Sequence, residues 1–444
     1  MKVKILALLL MFSAASYAQD TAAGFFDLGL SKTRKGDYTG ALSDFSKSIA
    51  MNPDNPQSYF NRGLVKQALK DNRGAAVDFS KTIDLNPRDF LAYLYRGISH
   101  ANQGENDSAL RDFNRAIEIK EDDADSYLQR GYILIKMEDY RKAMTDFNRV
   151  VELTNDDGSK FQAFYNRGFC KGKMGDYKGA IMDFTRSIEI NPKRSQTFAD
   201  RGIARVKVED YAEATKDFDK ALELNPQDAS SFYYRGFCKA KNGAYLDAKV
   251  DFDNALRINP DNVQAYYGRG FTYSMLNNQR AATQDLTTAI EKGNEYLNEK
   301  LTYAVQMDEK KLALLTGAVK EKLVLQDMST NRAEAYYLLG VTLMHKGDSK
   351  GALENLNKAI ELDPVMAPAH FSRGLVRSGS GSQMDAMIDL NNAIKLNPTY
   401  KEAYYVRGLI KHALGLSDAG CMDLSKAGEL GYVEAYNEIK TLCN

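Results

Sequence analysis

The chain has 444 residues, of which 44% are hydrophobic and 27% charged, so it can bury a large core and is not expected to be disordered. Its 59 basic and 59 acidic residues cancel, and no dense run of lysine and arginine stands out. We therefore expect no nucleic-acid partner, because nucleic-acid-binding proteins carry a basic patch that neutralises phosphates.

Residues 1–18 have the pattern of a secretory signal peptide. Lys2 and Lys4 precede the apolar residues 5–12, and residues 16–18 read Ser-Tyr-Ala, which suits a signal-peptidase cleavage site. The apolar run is too short for a good membrane span, and no later segment is long and apolar enough to form one. We predict that the chain is exported to the periplasm or the extracellular space, with no transmembrane span after signal removal.

From residue 29 onward, one pattern recurs at an almost constant interval of 34 residues. Its marker is a glycine, usually preceded by arginine. The marker glycines are Gly29, Gly63, Gly97, Gly131, Gly168, Gly202, Gly236, Gly270, Gly340, Gly374 and Gly408. A period of this size is typical of stacked-repeat proteins.

Each copy contains two apolar stretches of helical period joined by a turn such as Lys35-Gly36-Asp37-Tyr38. The second stretch often ends at Asn-Pro, as in Asn86-Pro87, because proline disfavours helical geometry in the residue before it. A single helical hairpin cannot bury its apolar faces alone. The sequence therefore predicts hairpins that stack on their neighbours into a solenoid.

The second copy places Tyr59, Gly63, Ala75, Phe79 and Pro87 at offsets that resemble the tetratricopeptide repeat. The resemblance extends over roughly residues 25–431. It implies an all-α, right-handed solenoid with about eleven recognisable repeats. It also implies that the first helices line a concave groove that binds a protein or peptide.

The interval between markers predicts the domain organisation. Residues 19–293 hold repeats 1–8, residues 294–333 form a degenerate helical repeat, residues 334–431 hold repeats 9–11, and residues 432–444 form a capping helix. A flexible linker is the alternative for residues 294–333, and helices longer than usual are also compatible with their pattern. Three additional residues near 155–159 predict a polar loop before repeat 5.

An aspartate follows the marker arginine after sixteen residues in most repeats. We interpret these residues as a structural ion-pair ladder, because the arginine fork suits carboxylates. A basic stripe that reads acidic ligands is the alternative. Repeat 1 has Leu28 and Asp44, so Asp44 is expected to face Arg62 of the next repeat. The pairs are Arg62–Asp78, Arg96–Asp112, Arg130–Asp146, Arg167–Asp183, Arg201–Asp217, Arg235–Asp251, Arg269–Asp285, Arg373–Asp389 and Arg407–Asp423.

A second recurring position, three residues before the marker glycine, is usually aromatic. In the family that the chain resembles, this position often contributes to the groove, where aromatic side chains hold a peptide by apolar contact and hydroxyl hydrogen bonds. Packing between neighbouring helices is the alternative role. The candidate groove residues are Phe60, Tyr165, Tyr233, Tyr267, Tyr337, Phe371 and Tyr405.

The four cysteines fall into two groups. Cys170 and Cys238 occupy the same position two repeats apart, too distant to bond, and are expected to be small core residues. Cys421 and Cys443 lie on the last repeat and the terminal helix, and they are candidates for a disulfide that fastens the end of the solenoid.

The sequence contains no recognisable catalytic chemistry. Its four histidines lie in different repeats without metal-binding spacing, and the chain lacks Gly-x-Ser-x-Gly, Walker and Cys-x2-Cys motifs. We predict no catalytic, cofactor-binding or metal-binding residues, and a non-catalytic scaffold that binds a protein or peptide in the cell envelope. The alternative is an exported enzyme or carbohydrate-binding protein with its site in residues 294–333.

Overall fold

A computed structural model describes residues 21–306 and 318–443, with side chains for residues 21–293 and 332–443. In these ranges the chain forms twenty-three α-helices and no strand. The predicted all-α solenoid of helical hairpins is confirmed. The chain divides into two compact units, the first ending at Asp210 and the second beginning at Tyr211. The predicted signal peptide, residues 1–18, lies outside the described residues.

The first unit contains eleven helices, which form repeats 1–5 and the first helix of repeat 6. They are α1 Ala22–Arg34, α2 Tyr38–Met51, α3 Pro56–Ala68, α4 Asn72–Leu85, α5 Phe90–Asn102, α6 Asn106–Ile119, α7 Ala124–Lys136, α8 Tyr140–Leu153, α9 Asp157–Lys173, α10 Tyr177–Ile190 and α11 Ser195–Lys207.

The second unit contains the second helix of repeat 6, then repeats 7–11 and the capping helix. Its described helices are α12 Tyr211–Leu224, α13 Ala229–Lys241, α14 Tyr245–Ile258, α15 Val263–Met275, α16 Gln279–Gln306, α17 Ala318–His345, α18 Ser349–Leu362, α19 Ala367–Gly379, α20 Gln383–Leu396, α21 Lys401–Ala413, α22 Ser417–Glu429 and α23 Glu434–Leu442.

The turn inside each hairpin needs one residue in the left-handed region. Gly36 has φ 81° in repeat 1, and Lys70 holds φ 65° at the same place in repeat 2. Only glycine reaches this region without a steric cost, so the lysine is the more strained choice. The next helix is then capped by aspartate, since Asp37 Oδ1 accepts the Gly40 amide at 2.9 Å.

The marker glycine lets the two helices of a hairpin approach closely. A Cβ atom added to Gly97 would lie 2.7 Å from Cε1 of Phe113 on the second helix. The ring of Phe113 is fully buried, as are Phe45, Phe79 and Phe147 at the same position of other repeats. The marker glycine therefore makes room for the central side chain of its own hairpin, which is phenylalanine in the early repeats and leucine in the last ones, such as Leu286 beside Gly270.

The junction before repeat 5 differs in part from the expected pattern. The polar loop predicted near residues 155–159 is shorter than expected, because residues 157–159 form the first turn of α9. Asp156 caps that turn by accepting the Ser159 amide at 2.8 Å. A local cap lets the additional residues continue the helix rather than interrupt it.

The irregular segment 294–333 is flanked by long helices. The helices α16 and α17 have 28 residues each and run into the segment from both sides. Leu286 and Ile290 of α16 share one apolar cluster with Leu339 and Leu343 of α17, so repeats 8 and 9 pack directly against each other. The side chains of residues 294–331, in which the alternative functional site was placed, lie outside the described residues.

Candidate functional site

In most hairpins an arginine of the first helix and an aspartate of the second helix form a bidentate ion pair. Arg62 donates from Nε to Asp78 Oδ2 at 2.9 Å and from Nη2 to Oδ1 at 2.7 Å. The same two bonds form in all eight pairs that lie within one unit. These are Arg62–Asp78, Arg96–Asp112, Arg130–Asp146, Arg167–Asp183, Arg235–Asp251, Arg269–Asp285, Arg373–Asp389 and Arg407–Asp423.

The third guanidinium nitrogen links each hairpin to the one before it. Arg96 Nη1 donates to Ser80 at 3.1 Å, and Arg407 Nη1 donates to Asn391 at 2.6 Å. Arg201, whose predicted partner Asp217 belongs to the other unit, donates in the same way to Thr185 at 3.0 Å. The arginines therefore join two helices of one repeat to a helix of the preceding repeat.

A second cation approaches many of the buried aspartates, and sequence reasoning missed it. Lys66, one helical turn after Arg62, places Nζ 2.8 Å from Asp78 Oδ2. The spacing of four residues after the arginine was the available signal. The equivalent cations are Lys171, Lys239, Arg377 and Lys411.

The expected contact between Asp44 and Arg62 is wrong. Asp44 is 4% exposed and pairs with Lys32 of its own repeat, whose Nζ lies 2.7 Å from Oδ2. Arg62 instead reaches Ser46 of repeat 1 and the aspartate of its own hairpin. Repeat 1 thus lacks the arginine and keeps the second cation, so the carboxylate is still paired.

Two of the buried aspartates have pKa values that are shifted in opposite directions. Asp146 is buried and faces Arg130, while the residue one turn later is Leu134. Burial raises the pKa of Asp146 above its usual value, and Arg130 offsets only part of that effect.

Asp389 has the opposite shift. Burial alone would raise the pKa of Asp389, but His370, Arg373 and Arg377 beside it outweigh burial and bring the pKa below its usual value. The carboxylate is fully buried and receives bonds from both arginines.

The two aspartates should therefore respond to pH in opposite directions. The depressed pKa of Asp389 contributes stability above an unfolded pKa of 3.8 that is lost as the pH falls through the folded value. The raised pKa of Asp146 makes the folded state less stable as the pH rises from 3.8 through its folded value.

Urea unfolding between about pH 3 and about pH 6 tests this on Asp146→Asn and Asp389→Asn. Relative to wild type, the deficit of Asp146→Asn should shrink with rising pH. The deficit of Asp389→Asn should grow with rising pH and then level off. Parallel curves for the two variants would contradict the assignment.

The candidate groove residues lie on the first helices and combine packing with partial exposure. Phe60 is 6% exposed, with its ring centre 5.6 Å from that of Phe79. The other six are half-buried. Among them, Tyr165 lies 5.8 Å from Phe184, ring centre to ring centre. Phe60 is thus a core residue, whereas the six others each leave part of a ring accessible.

Several of these tyrosines bond to the next repeat through their hydroxyl groups. Tyr165 donates to Asp200 Oδ2 at 2.8 Å, and Tyr267 donates to Glu334 Oε2 at 3.2 Å. Burial raises the pKa of both tyrosines, and the carboxylates raise it further, so both hydroxyls stay protonated as donors. The surface at each of these two tyrosines is therefore aromatic and partly polar.

The cysteines occupy two environments. Cys170 and Cys238 are buried free thiols whose pKa burial raises to about 12. Cys421 and Cys443 form a disulfide with a Cα–Cα distance of 5.7 Å. It ties α22 to the residue that follows α23, where Tyr436 also donates to the Gly428 carbonyl at 3.0 Å.

The described residues contain neither a membrane-spanning helix nor a metal-binding cluster. Among residues 21–306 and 318–443, no helix is long and apolar enough to cross a bilayer. The described part of the chain also holds no group of three or more histidine, cysteine, aspartate or glutamate side chains placed to bind a metal ion.

Comparisons with known proteins agree with this architecture. Family models described as TPR or tetratricopeptide repeat match residues 29–70, 62–125, 124–157, 161–194, 199–262, 252–284 and 333–364. No curated protein matches the chain.

Among solved structures, the chain is similar to YrrB, a TPR protein with an unusual peptide-binding site, at 24% identity over 42% of this chain and 95% of that one, with a TM-score of 0.39. It is similar to the C-terminal part of a TPR repeat-containing protein from Cytophaga hutchinsonii, at 19% identity over 55% and 98%, with a TM-score of 0.47. Cut9–Hcn1, a hetero-tetramer of APC/C, has 13% identity over 95% and 96%, with a TM-score of 0.46. From the family models, the chain belongs to the tetratricopeptide repeat family.

Proposed function

We propose that this protein is a non-catalytic scaffold that binds a protein or peptide along its first-helix face. The observation that carries the proposal is the half-buried aromatic side chain that recurs on first helices, at Tyr165, Tyr233, Tyr267, Tyr337, Phe371 and Tyr405. Aromatic rings with a hydroxyl at one end bury a large area and still offer a directional bond, which is what a peptide-binding surface needs.

The ladder arginines have a structural role in this proposal. Arg235 uses Nε and Nη2 on Asp251 and Nη1 on Asp219, so its guanidinium is already occupied by the protein. Its plane also lies 5.4 Å from the ring centre of Phe232. An acidic ligand would have to displace these bonds, which disfavours the interpretation of the arginines as a ligand-reading stripe.

We further propose that the protein works outside the cytoplasm, in the periplasm or extracellular space. The leader pattern in residues 1–18 motivates the proposal, and the Cys421–Cys443 disulfide is compatible with an oxidising compartment. Cell fractionation followed by N-terminal sequencing tests it. An intact Met1 in a cytoplasmic fraction would contradict it.

The binding proposal is tested by replacing two neighbouring groove tyrosines. Crosslinking and mass spectrometry on cells expressing Tyr267→Ala/Tyr337→Ala should recover partner proteins in yields at least tenfold below wild type, because about 1.4 kcal/mol of lost binding energy gives that factor. Both rings are half-buried, so far-ultraviolet circular dichroism must show that the variant stays folded.

The matched control replaces exposed apolar side chains on second helices. Val250 is 54% and Met384 67% exposed, and Val250→Ala/Met384→Ala should leave the crosslinked proteins unchanged. If the control loses the same proteins while the tyrosine variant keeps them, the partner binds the second helices and the proposal is wrong.

A further inference from the structure

One stretch of the first-helix face carries an aromatic side chain at the same position of consecutive repeats. We define the C-terminal aromatic row as Tyr267, Tyr337, Phe371, Tyr405 and Tyr432 of repeats 8–11 and the cap. The first helices of repeats 8–11 lie next to one another in this unit. Ring contacts continue the row to the end of the solenoid, since the centres of Tyr405 and Tyr432 are 4.7 Å apart.

Carboxylates accompany this row. Glu334 is exposed and accepts the hydroxyl of Tyr267 at 3.2 Å. Glu402 follows Tyr400, whose ring centre lies 4.8 Å from that of Phe371. A carboxylate therefore stands near the aromatic residues at both of these places, exposed at Glu334 and half-buried at Glu402.

The pKa shifts of the tyrosines agree with that charge. After burial, which is the largest cause, Glu334 raises the pKa of Tyr267, and Glu402 acts on Tyr400, whose pKa rises to about 12. At the capping end, Glu438 and Glu434 raise the pKa of Tyr405. Every charged side chain that shifts these tyrosines is a carboxylate.

In the first unit, a cation lies over a tyrosine ring whose hydroxyl donates to a carboxylate. Tyr165 donates to Asp200 there, and the guanidinium of Arg194 lies 4.2 Å from the centre of the Tyr165 ring. Arg194 also approaches Phe161, at 5.3 Å. The protein thus supplies its own cation to an aromatic ring that is paired with a carboxylate.

In the C-terminal aromatic row the place of that cation holds an arginine in repeat 9 and residues of other types in repeats 10 and 11. Met366 and Tyr400 stand at the position of Arg194 in repeats 10 and 11. In repeat 9 the position holds Arg332, whose charge acts on Lys358 of the second helix α18. A ligand that brings its own cations would complete the arrangement.

We propose that the C-terminal aromatic row binds an extended basic peptide. Lysine or arginine side chains lie over the ring faces and pair with Glu334 and Glu402, and apolar side chains pack between the rings. The inference rests on the proposed binding function and names the class of its ligand. A carboxylate beside a partly accessible aromatic ring attracts a cation twice, through its own charge and through the electron-rich ring face.

Two labelled peptides test the proposal on the full-length mature protein. One alternates lysine with phenylalanine, and the other replaces each lysine with glutamate at unchanged length. Fluorescence anisotropy should show at least about tenfold tighter binding of the lysine peptide, with the preference shrinking as salt is added. Equal binding, or tighter binding of the glutamate peptide, overturns the inference and leaves the general binding function standing.

Two double variants test whether the lysine peptide binds at the C-terminal aromatic row. Glu334→Gln/Glu402→Gln keeps side-chain shape and should weaken lysine-peptide binding about tenfold. The control Glu354→Gln/Asp385→Asn removes two exposed carboxylates from second helices and should bind as wild type does. Equal losses in both variants would mean that net charge alone attracts the peptide, which also overturns the inference.

A different experimental result would contradict the proposed binding function itself. It would appear as loss of partner capture in the second-helix control Val250→Ala/Met384→Ala together with full capture by Tyr267→Ala/Tyr337→Ala. A preference for the lysine peptide that survives Tyr267→Ala/Tyr337→Ala likewise contradicts the inference, since the row would not be where that peptide binds.

Discussion

Arg130→Met is expected to destabilise repeat 4 by about 3–5 kcal/mol, the cost of leaving a buried charge without its partner. Asp146 is 2% exposed, and both of its oxygens accept from Arg130. The position that supplies a second cation elsewhere is Leu134, so nothing there replaces the lost guanidinium. Amide hydrogen exchange along α7 and α8 measures the local loss, because repeat arrays need not unfold in one step.

Arg235→Met is the matched comparison. Asp251 is as deeply buried as Asp146, but Lys239 Nζ remains 2.8 Å from Oδ2 after the arginine is lost. Its destabilisation should therefore be smaller, about 2 kcal/mol. Equal losses at the two sites would show that the second cation contributes nothing.

A double replacement distinguishes the contribution of the ion pair to stability from the contribution of packing. Arg130→Met/Asp146→Leu removes both charges and leaves apolar side chains of similar size, so most of the lost stability should return. If Arg130→Met instead kept full stability and lost a ligand, the arginines would be a recognition stripe and the structural interpretation would be wrong.

Cys421→Ser/Cys443→Ser is expected to lower the stability of the solenoid end by about 3 kcal/mol. The disulfide closes a loop of 22 residues, and constraining the unfolded chain over that distance accounts for the magnitude. Other contacts at this end are the buried Ala435, the packing of Tyr432 on Tyr405, and hydrogen bonds from Tyr436 to the Gly428 carbonyl and from His412 to the Leu442 carbonyl.

Limited proteolysis and hydrogen exchange of α22 and α23 measure the effect. Reduction of the wild-type protein should reproduce it, while Cys170→Ala should not, since Cys170 is a buried free thiol in another repeat. Unchanged protection of α23 in the double variant would show that packing alone holds the cap.

The partnership of arginine and aspartate could be predicted because both sit at fixed positions of a repeated hairpin. A spacing of sixteen residues brings Arg62 and Asp78 together whenever the two helices pair, whatever their neighbours are. The pairing of Asp44 with Lys32 was missed, although the same repeat spacing carries it. Lys32 stands twelve residues before Asp44, as Lys66 stands twelve residues before Asp78.

For the aromatic residues, too, the sequence predicts the repeat position, while the tertiary structure decides the role of each side chain. Phe60 and Tyr165 occupy one repeat position, yet Phe60 is buried and Tyr165 reaches the next repeat through its hydroxyl. The sequence specifies the hydroxyl of Tyr165, but neighbouring side chains decide how deeply each ring is buried and which group the hydroxyl reaches. The helix that begins at Asp157 is a further case, since a local cap at Asp156 turned a polar stretch into helix.

The sequence alone determined the all-α class, the repeat register and the residue pairs inside each hairpin, because these follow from local periodicity and from helices that must pair to bury their apolar faces. Only the tertiary structure decided the bonds between repeats, such as Arg96 to Ser80, and the carboxylate beside Tyr267. Those contacts join residues of different hairpins, and their geometry exists only after the hairpins have stacked.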